Sequence, residues 1–272
     1  MSVDLTKPRI MSEGMMTENN GILGGKVVVI TGAARGLGQA YAVAFTALGA
    51  AVVAADLGNC NDTVAMASVN GGRCIGVEAD VTDGPAVNAM AAAAVEAFGG
   101  IDALVNNAAL YGALHGGRFD SIEEKEWDAA MEVNVKGIWY CCRAVVPRLR
   151  ERGGGSIVNV ASLAATYGMP YGLHYSTSKA AVIGLTRALA REIGRDEIRV
   201  NAIAPTAVIT EGTQEFFGSK YEGALETIKA GQSIQRNPQP DDMVGTVTWL
   251  ISDASRFVTG QTISIDGGTV LL

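Results

Sequence analysis

Short, unbroken apolar runs alternate along the chain with longer stretches in which apolar residues recur at helical spacing. The runs are Lys26–Ile30 (KVVVI), Ala51–Ala55 (AVVAA), Cys74–Val77, Ala103–Val105, Ser156–Val160 (SIVNV), Arg199–Ile203 and Ile263–Ile265. They are apolar at successive rather than alternate positions, as in strands buried on both faces. Between them the pattern predicts helices. One runs from the turn Thr31–Gly38 to about Leu48 and is closed by Gly49. Others lie within 57–72 and from a cap at Thr82 or Asp83 to about Phe98. Ser121 and Glu124 have the spacing of a capping box that opens a short helix. A long helix spans roughly Trp127–Arg150, with Pro147 as a kink point, and another runs from about His174 to Ile193. Strands that alternate with helices predict a doubly wound parallel sheet of seven strands, flanked by helices on both faces. No linker or repeat divides it, so a single α/β domain is expected over 22–272, after a flexible N-terminal preface at 1–21.

Composition narrows the partners. The chain has 272 residues, 48% of them hydrophobic, enough for one large core. A net charge of −7 speaks against nucleic acid as a partner. None of the four cysteines, Cys60, Cys74, Cys141 and Cys142, forms a C-x-x-C pair, so they read as reduced thiols of a cytoplasmic protein. The two histidines, His115 and His174, do not suggest a metal site. No run of 18 apolar residues predicts a membrane span, and the first 20 residues lack the apolar core of a secretory signal.

The glycine turn sits where a phosphate cradle needs it, after a strand and opening a helix. Its spacing is Gly32-x-x-x-Gly36-x-Gly38. Glycines there permit a tight turn and close approach of the backbone to a pyrophosphate at a helix N-terminus. Asp56 ends the second strand, eighteen residues after Gly38. A carboxylate there accepts hydrogen bonds from a ribose 2′-hydroxyl and repels a 2′-phosphate, which favours NAD over NADP. Arg35 points the other way, since it could pair with a 2′-phosphate. As a strand terminus Asp56 is aimed at the ribose, whereas a loop arginine can swing away. The plainer alternatives are a glycine-rich turn and a strand-end turn aspartate.

Tyr175 and Lys179 stand four residues apart, with Ser162 thirteen before the tyrosine. On a helix the pair shares one face. A cation beside a phenol favours the phenolate and moves its pKa from about 10 toward working pH. A serine hydroxyl from a neighbouring strand end could hold a substrate oxygen against that phenol. Tyr167 and Tyr171 have no lysine four residues on. His174 is rotated away from Tyr175 on the helix and reads as a packing residue, and His115 as a solvent-exposed one.

The glycine motif, Asp56, Asn106-Asn107-Ala108, Asn134, Ser162, Tyr175 and Lys179 occur in one order and at one spacing. Together they resemble the short-chain dehydrogenase/reductase family, in its branch of roughly 250-residue oxidoreductases, over about 22–272. The resemblance implies a Rossmann-type fold, a nicotinamide cofactor and a catalytic set of Asn134, Ser162, Tyr175 and Lys179. Tyr175 would be the acid/base. Lys179 would lower its pKa and bind the nicotinamide ribose, and Ser162 would orient the substrate oxygen. Asn134 would hold a water that relays protons through Lys179. Cofactor contacts are implied at Gly32, Arg35, Gly36, Leu37 and Gly38, at Asp56 and Leu57, and at Asp80 and Val81 beside adenine. Asn107 and Ala108 would line the cofactor, with Asn106 tying the sheet together. Pro205, Val208 and Thr210 would hold the nicotinamide carboxamide. Two positions depart from the family pattern. Ala109 and Thr206 stand where glycines are usual, and Thr206 would be strained if its backbone were left-handed.

The segment 211–235, before the last helix, corresponds to the family's substrate lid and carries Phe216 and Phe217. With Leu110, Tyr111, Ala164 and Tyr171 it predicts a mostly apolar pocket. The expected reaction is NAD-dependent interconversion of a small apolar, aromatic or cyclic secondary alcohol and its ketone. An NADPH-dependent 3-oxoacyl thioester reductase is the alternative within the family. A noncatalytic dinucleotide sensor is the alternative outside it. Apolar residues on more than one face of the two long helices, with the resemblance, predict a homotetramer.

Overall fold

Seven parallel strands lie side by side in one sheet, ordered β3-β2-β1-β4-β5-β6-β7. They are β1 (Val27–Thr31), β2 (Ala51–Asp56), β3 (Arg73–Glu78), β4 (Ala103–Asn106), β5 (Gly155–Val160), β6 (Ile198–Pro205) and β7 (Thr262–Ile265). The structure is a computed structural model and describes residues 21–271. The preface expected at 1–21 therefore lies, except for Gly21, outside the described residues.

Each run predicted as a strand is one. Within β1, Val28 and Ile30 pack in the core on one side of the sheet and Val29 in the core on the other. A strand between two helical layers has no wet face, hence the continuous apolar run. The edge strands β3 and β7 are partly exposed and carry polar positions. Helices α1 (Gly36–Ala47), α2 (Asn61–Ala67) and α10 (Asp241–Ile251) cover one face; α3 (Gly84–Phe98), α5 (Gly137–Glu151) and α7 (Leu173–Ile193) cover the other. Each fully buried valine, leucine or isoleucine in these layers contributes roughly 1.5–3 kcal/mol.

The chain runs outward from β1 to β3, returns to β4 beside β1, and runs outward the other way to β7. At such a reversal the loops diverge and leave a crevice beyond the carboxyl ends of the strands. All the sequence motifs with chemistry lie at that end.

Several boundaries differ from expectation. The long helix expected over 127–150 is three pieces: α4 (Glu124–Met131), a π turn Glu132–Lys136, and α5. Pro147 lies inside α5, which runs on to Glu151. The Ser121–Glu124 capping box does not form. The Ser121 hydroxyl donates instead to Arg118 O at 2.9 Å, and α4 starts without a side-chain cap. Three further helices, α6 (Ala164–Tyr167), α8 (Glu211–Phe217) and α9 (Tyr221–Ala230), are too short for helical periodicity to show. Among the described residues no helix is long and apolar enough to cross a membrane.

Candidate active site

The turn after β1 holds Gly32 at φ 65° and Gly36 at φ 59°, a left-handed backbone that side chains disfavour. A Cβ at Gly38 would lie 2.2 Å from Gly32 O, so this glycine lets α1 start against the turn. From the next strand end, the Asn107 amide donates to Thr31 O at 3.0 Å and Gly32 O at 2.9 Å. Thr31 Oγ1 accepts from the Asn107 and Ala108 N–H groups, at 3.1 Å each. Asn107 thus lines the crevice and also clamps the turn. Asn106 ties β4 to β5 through Asn159 Oδ1 at 2.8 Å, and Asn159 continues to Thr186 of α7 at 2.9 Å. This buried amide chain, whose Asn159 link the sequence reading missed, anchors α7 to the sheet.

Asp56 closes β2 with its carboxylate held by two backbone donors, Ala34 N at 2.9 Å and Gly58 N at 3.1 Å. Asp80 accepts from the Thr82 amide at 2.8 Å. Arg35 has swung to α8, where it makes a two-bond ion pair with Glu215, at 2.5 and 2.9 Å. That pair, with Glu211 and Asp56 nearby, raises the Arg35 pKa.

At the other end of the crevice, β5 delivers Ser162 and α7 delivers Tyr175 and Lys179. Lys179 is 2% exposed, and its Nζ donates to Val160 O at 2.8 Å. It lies 5.7 Å from the Tyr175 ring centroid. Loss of hydration depresses its pKa to about 8. Burial pushes the Tyr175 phenol up to about 12, and the nearby Ser162 hydroxyl offsets part of that rise. The phenol is therefore not brought down toward neutral pH as expected. Both members of the pair have left water, and desolvation disfavours phenolate and ammonium alike.

Asn134 sits in the π turn, fully buried. Its Oδ1 accepts from Leu110 N at 2.7 Å, and its Nδ2 donates to Leu110 O at 3.1 Å and to Ser178 Oγ at 3.0 Å. The side chain ties the π turn to α7 and to the loop after β4 and lines no part of the crevice. The side chain is thus committed to protein partners, in a turn where the regular α-helical hydrogen bonding is interrupted.

The crevice encloses about 470 Å³. It is lined by Gly32, Arg35, Gly36, Leu37, Asp56, Leu57, Asp80, Val81, Asn107 and Ala108 at the glycine-turn end. Ser162, Tyr175, Lys179, Pro205, Val208 and Thr210 line the other end, with Tyr111, Ala164 and Phe217. Gly38 lies beneath the turn. Thr210 also caps α8, accepting from Thr213 N at 3.2 Å. Phe216 stacks on Tyr111 at 4.5 Å and stands 6.3 Å from the Tyr175 ring, with Tyr111 and Tyr175 4.9 Å apart. Tyr171 does not belong to the pocket. It is 68% exposed with φ 61°, in the turn Pro170-Tyr171-Gly172 that redirects the chain into α7. Tyr167 and Met169 line the wall in its place. They share one short segment with the expected residue, and only the turn decides which side chains face inward. Ile228 of α9 and Glu215 were missed as well; α9 has no sequence signal that would aim it at the crevice. Thr206 has no left-handed backbone, so it carries no such strain. His174 is buried and accepts from the Tyr175 N–H at 2.9 Å, a packing role. His115 pairs with Glu126 at the surface, at 2.5 Å.

A glycine cradle at a helix N-terminus, a strand-end carboxylate and a Ser–Tyr–Lys cluster in one crevice define a dinucleotide-linked oxidoreductase. Similarity to known proteins agrees. A family model described as enoyl-(acyl carrier protein) reductase matches residues 32–270. The chain is 38% identical to the 3-oxoacyl-[acyl-carrier-protein] reductase FabG of Thermotoga maritima, over 92% of this chain and 99% of that one. It is also 38% identical to the D-threitol dehydrogenase of Mycolicibacterium smegmatis, over 90% and 93% of the two chains. The carveol dehydrogenase of Mycobacterium avium, solved in complex with NAD, superposes with a TM-score of 0.86 at 30% identity, covering 92% of this chain and 99% of that one. The chain belongs to the short-chain dehydrogenase/reductase family.

Proposed function

We propose that the protein interconverts a small apolar, aromatic or cyclic secondary alcohol and its ketone, with NAD as the hydride carrier. The observation that carries the alcohol–ketone assignment is the arrangement of Ser162, Tyr175 and Lys179 beside Tyr111, which Phe216 of α8 backs by stacking on its ring. The dinucleotide fits the residues present. The left-handed glycine turn leaves its backbone accessible, and the bonds from Ala34 and Gly58 pin Asp56 at the strand end. NAD, when bound, supplies the hydride acceptor for alcohol oxidation. Ser162 holds the substrate oxygen, and Tyr175 takes its proton as the hydride leaves. Lys179 stabilises the phenolate form of Tyr175 that takes this proton, and the ribose beside it. In ketone reduction the same phenol returns the proton. Segment 211–235 acts as the substrate lid.

The thioester-reductase alternative draws support from the Thermotoga relative and from Arg35. Against it stand Asp56, the engagement of Arg35 by Glu215, and a substrate end lined by Tyr111, Tyr167, Met169 and Phe217. We read the protein as a cytoplasmic homotetramer. Its composition, cysteine usage and family support this, and light scattering that found a monomer would overturn the assembly.

The test is initial rates with NAD and NADP over a panel of aryl and cyclic secondary alcohols, with Tyr175→Phe alongside. Removing the proton-transfer group is expected to lower kcat by about 100-fold or more. A variant within a few-fold of wild type would refute the proton-transfer assignment.

A further inference from the structure

Arg35 and Lys179 are the two cations among the described residues lining the crevice, and Lys179 lies at the catalytic end. Arg35 is thus the positive charge that the glycine turn has to offer a phosphate on the adenosine ribose. It does not stand free. Both terminal nitrogens are taken by the Glu215 carboxylate, from a helix on the opposite lip of the crevice. Glu215 is placed there by the fold. Thr210 caps the start of α8, and Phe216, the next residue, stacks on Tyr111. Glu215 also leans on Gly112, where a Cβ would stand 2.3 Å from its Oε2.

We propose that Glu215 is a cofactor-selectivity residue. By holding Arg35 in a two-bond ion pair it withholds that guanidinium from a 2′-phosphate, and leaves the adenosine ribose facing Asp56. The inference rests on the NAD reading of the site. A dinucleotide with a 2′-phosphate must break both Glu215–Arg35 bonds and still meet the Asp56 carboxylate. One with a free 2′-hydroxyl needs neither change and donates to Asp56. Glu215 is thereby a positioning residue: it acts through Arg35 and need not touch the cofactor. Since α8 also carries Phe216, a cofactor that captures Arg35 would release a tie on the aromatic wall at the same time.

The test is direct titration of NADH and NADPH, by nicotinamide fluorescence, into wild type, Glu215→Gln, Arg35→Ala and the double variant. Glu215→Gln keeps the side-chain shape and removes the charge. It is expected to tighten NADPH by about tenfold, the scale of one charge-assisted hydrogen bond, with NADH within about twofold. The double variant should lose that gain, because the benefit passes through Arg35. Loosening of α8 alone would weaken both cofactors or neither, and would persist in the double variant. An NADH-preferring wild type whose NADPH affinity is unmoved by Glu215→Gln would overturn the role of Glu215 and leave the NAD reading standing. A wild type that binds NADPH more tightly would overturn the NAD reading itself, and this inference with it.

Discussion

At the nucleotide end of the crevice the contacts come from the ends of neighbouring strands β1, β2, β3 and β4, and the shape is mostly backbone: left-handed glycines, amide donors, two clamped carbonyls. At the other end they come from β5, β6 and the loop after it, α6, α7, the loop after β4 and α8, and the shape is made by side chains. The first end is held by hydrogen bonds to groups that cannot move without moving the sheet. The second is held by ring stacking and by a buried lysine with one carbonyl partner. A cradle for an invariant group can be built from backbone, while a pocket for a variable one is built where side chains can change without disturbing the strands.

Substitutions sharpen this contrast. The largest effect is expected from Lys179→Met, with kcat reduced about 100-fold or more. The same change should stabilise the fold. Burial depresses Lys179 below its ordinary value, to about 8, so around and above that pH the folded chain binds fewer protons than the unfolded one. Stability then rises with pH from about 8 up to the ordinary lysine value of about 10.4, and is lost as pH falls back through that window to about 8. Lys179→Met should remove that slope and raise stability at pH 7 by about 1–3 kcal/mol. Urea unfolding at pH 7 and pH 9 checks it, and a less stable variant would show that the buried ammonium is not the burden inferred here.

Gly38→Ala attacks the backbone end. The new methyl meets Gly32 O at 2.2 Å, so the turn must shift. A stability loss of about 1–3 kcal/mol and NADH binding weakened about tenfold are expected. Thermal unfolding and calorimetric titration measure the two. Phe216→Ala attacks the side-chain end. KM for an aromatic alcohol should rise about tenfold while NADH affinity stays within about twofold. Equal losses in both would mean that the two ends are not separable. The smallest effect is expected from Tyr171→Ala. An exposed ring outside the crevice should leave kcat/KM within about twofold, and a tenfold fall would restore Tyr171 to the substrate wall.

The contrast also explains what was legible beforehand. Each apolar run became a strand because a two-sided layer imposes a local pattern. The glycine turn, Asp56 and the Tyr175–Lys179 pair were readable because each occupies a few consecutive residues or one helix face. Asn134 was legible as a position and not as a contact, since its bonds to Leu110 and Ser178 span 24 and 44 residues. Tyr171 was misplaced because inward and outward residues of a turn share one composition.

By itself, then, the sequence determined the order of strands and helices, the glycine turn and the placement of Tyr175 and Lys179 on one helix face, all properties of local periodicity and short spacing. Only the tertiary structure decided that desolvation drives Tyr175 and Lys179 apart in pKa, that Tyr167 and Met169 wall the pocket, and that Glu215 holds Arg35 across 180 residues. Burial and long-range pairing depend on which segments the sheet brings together, and no local stretch of chain encodes that.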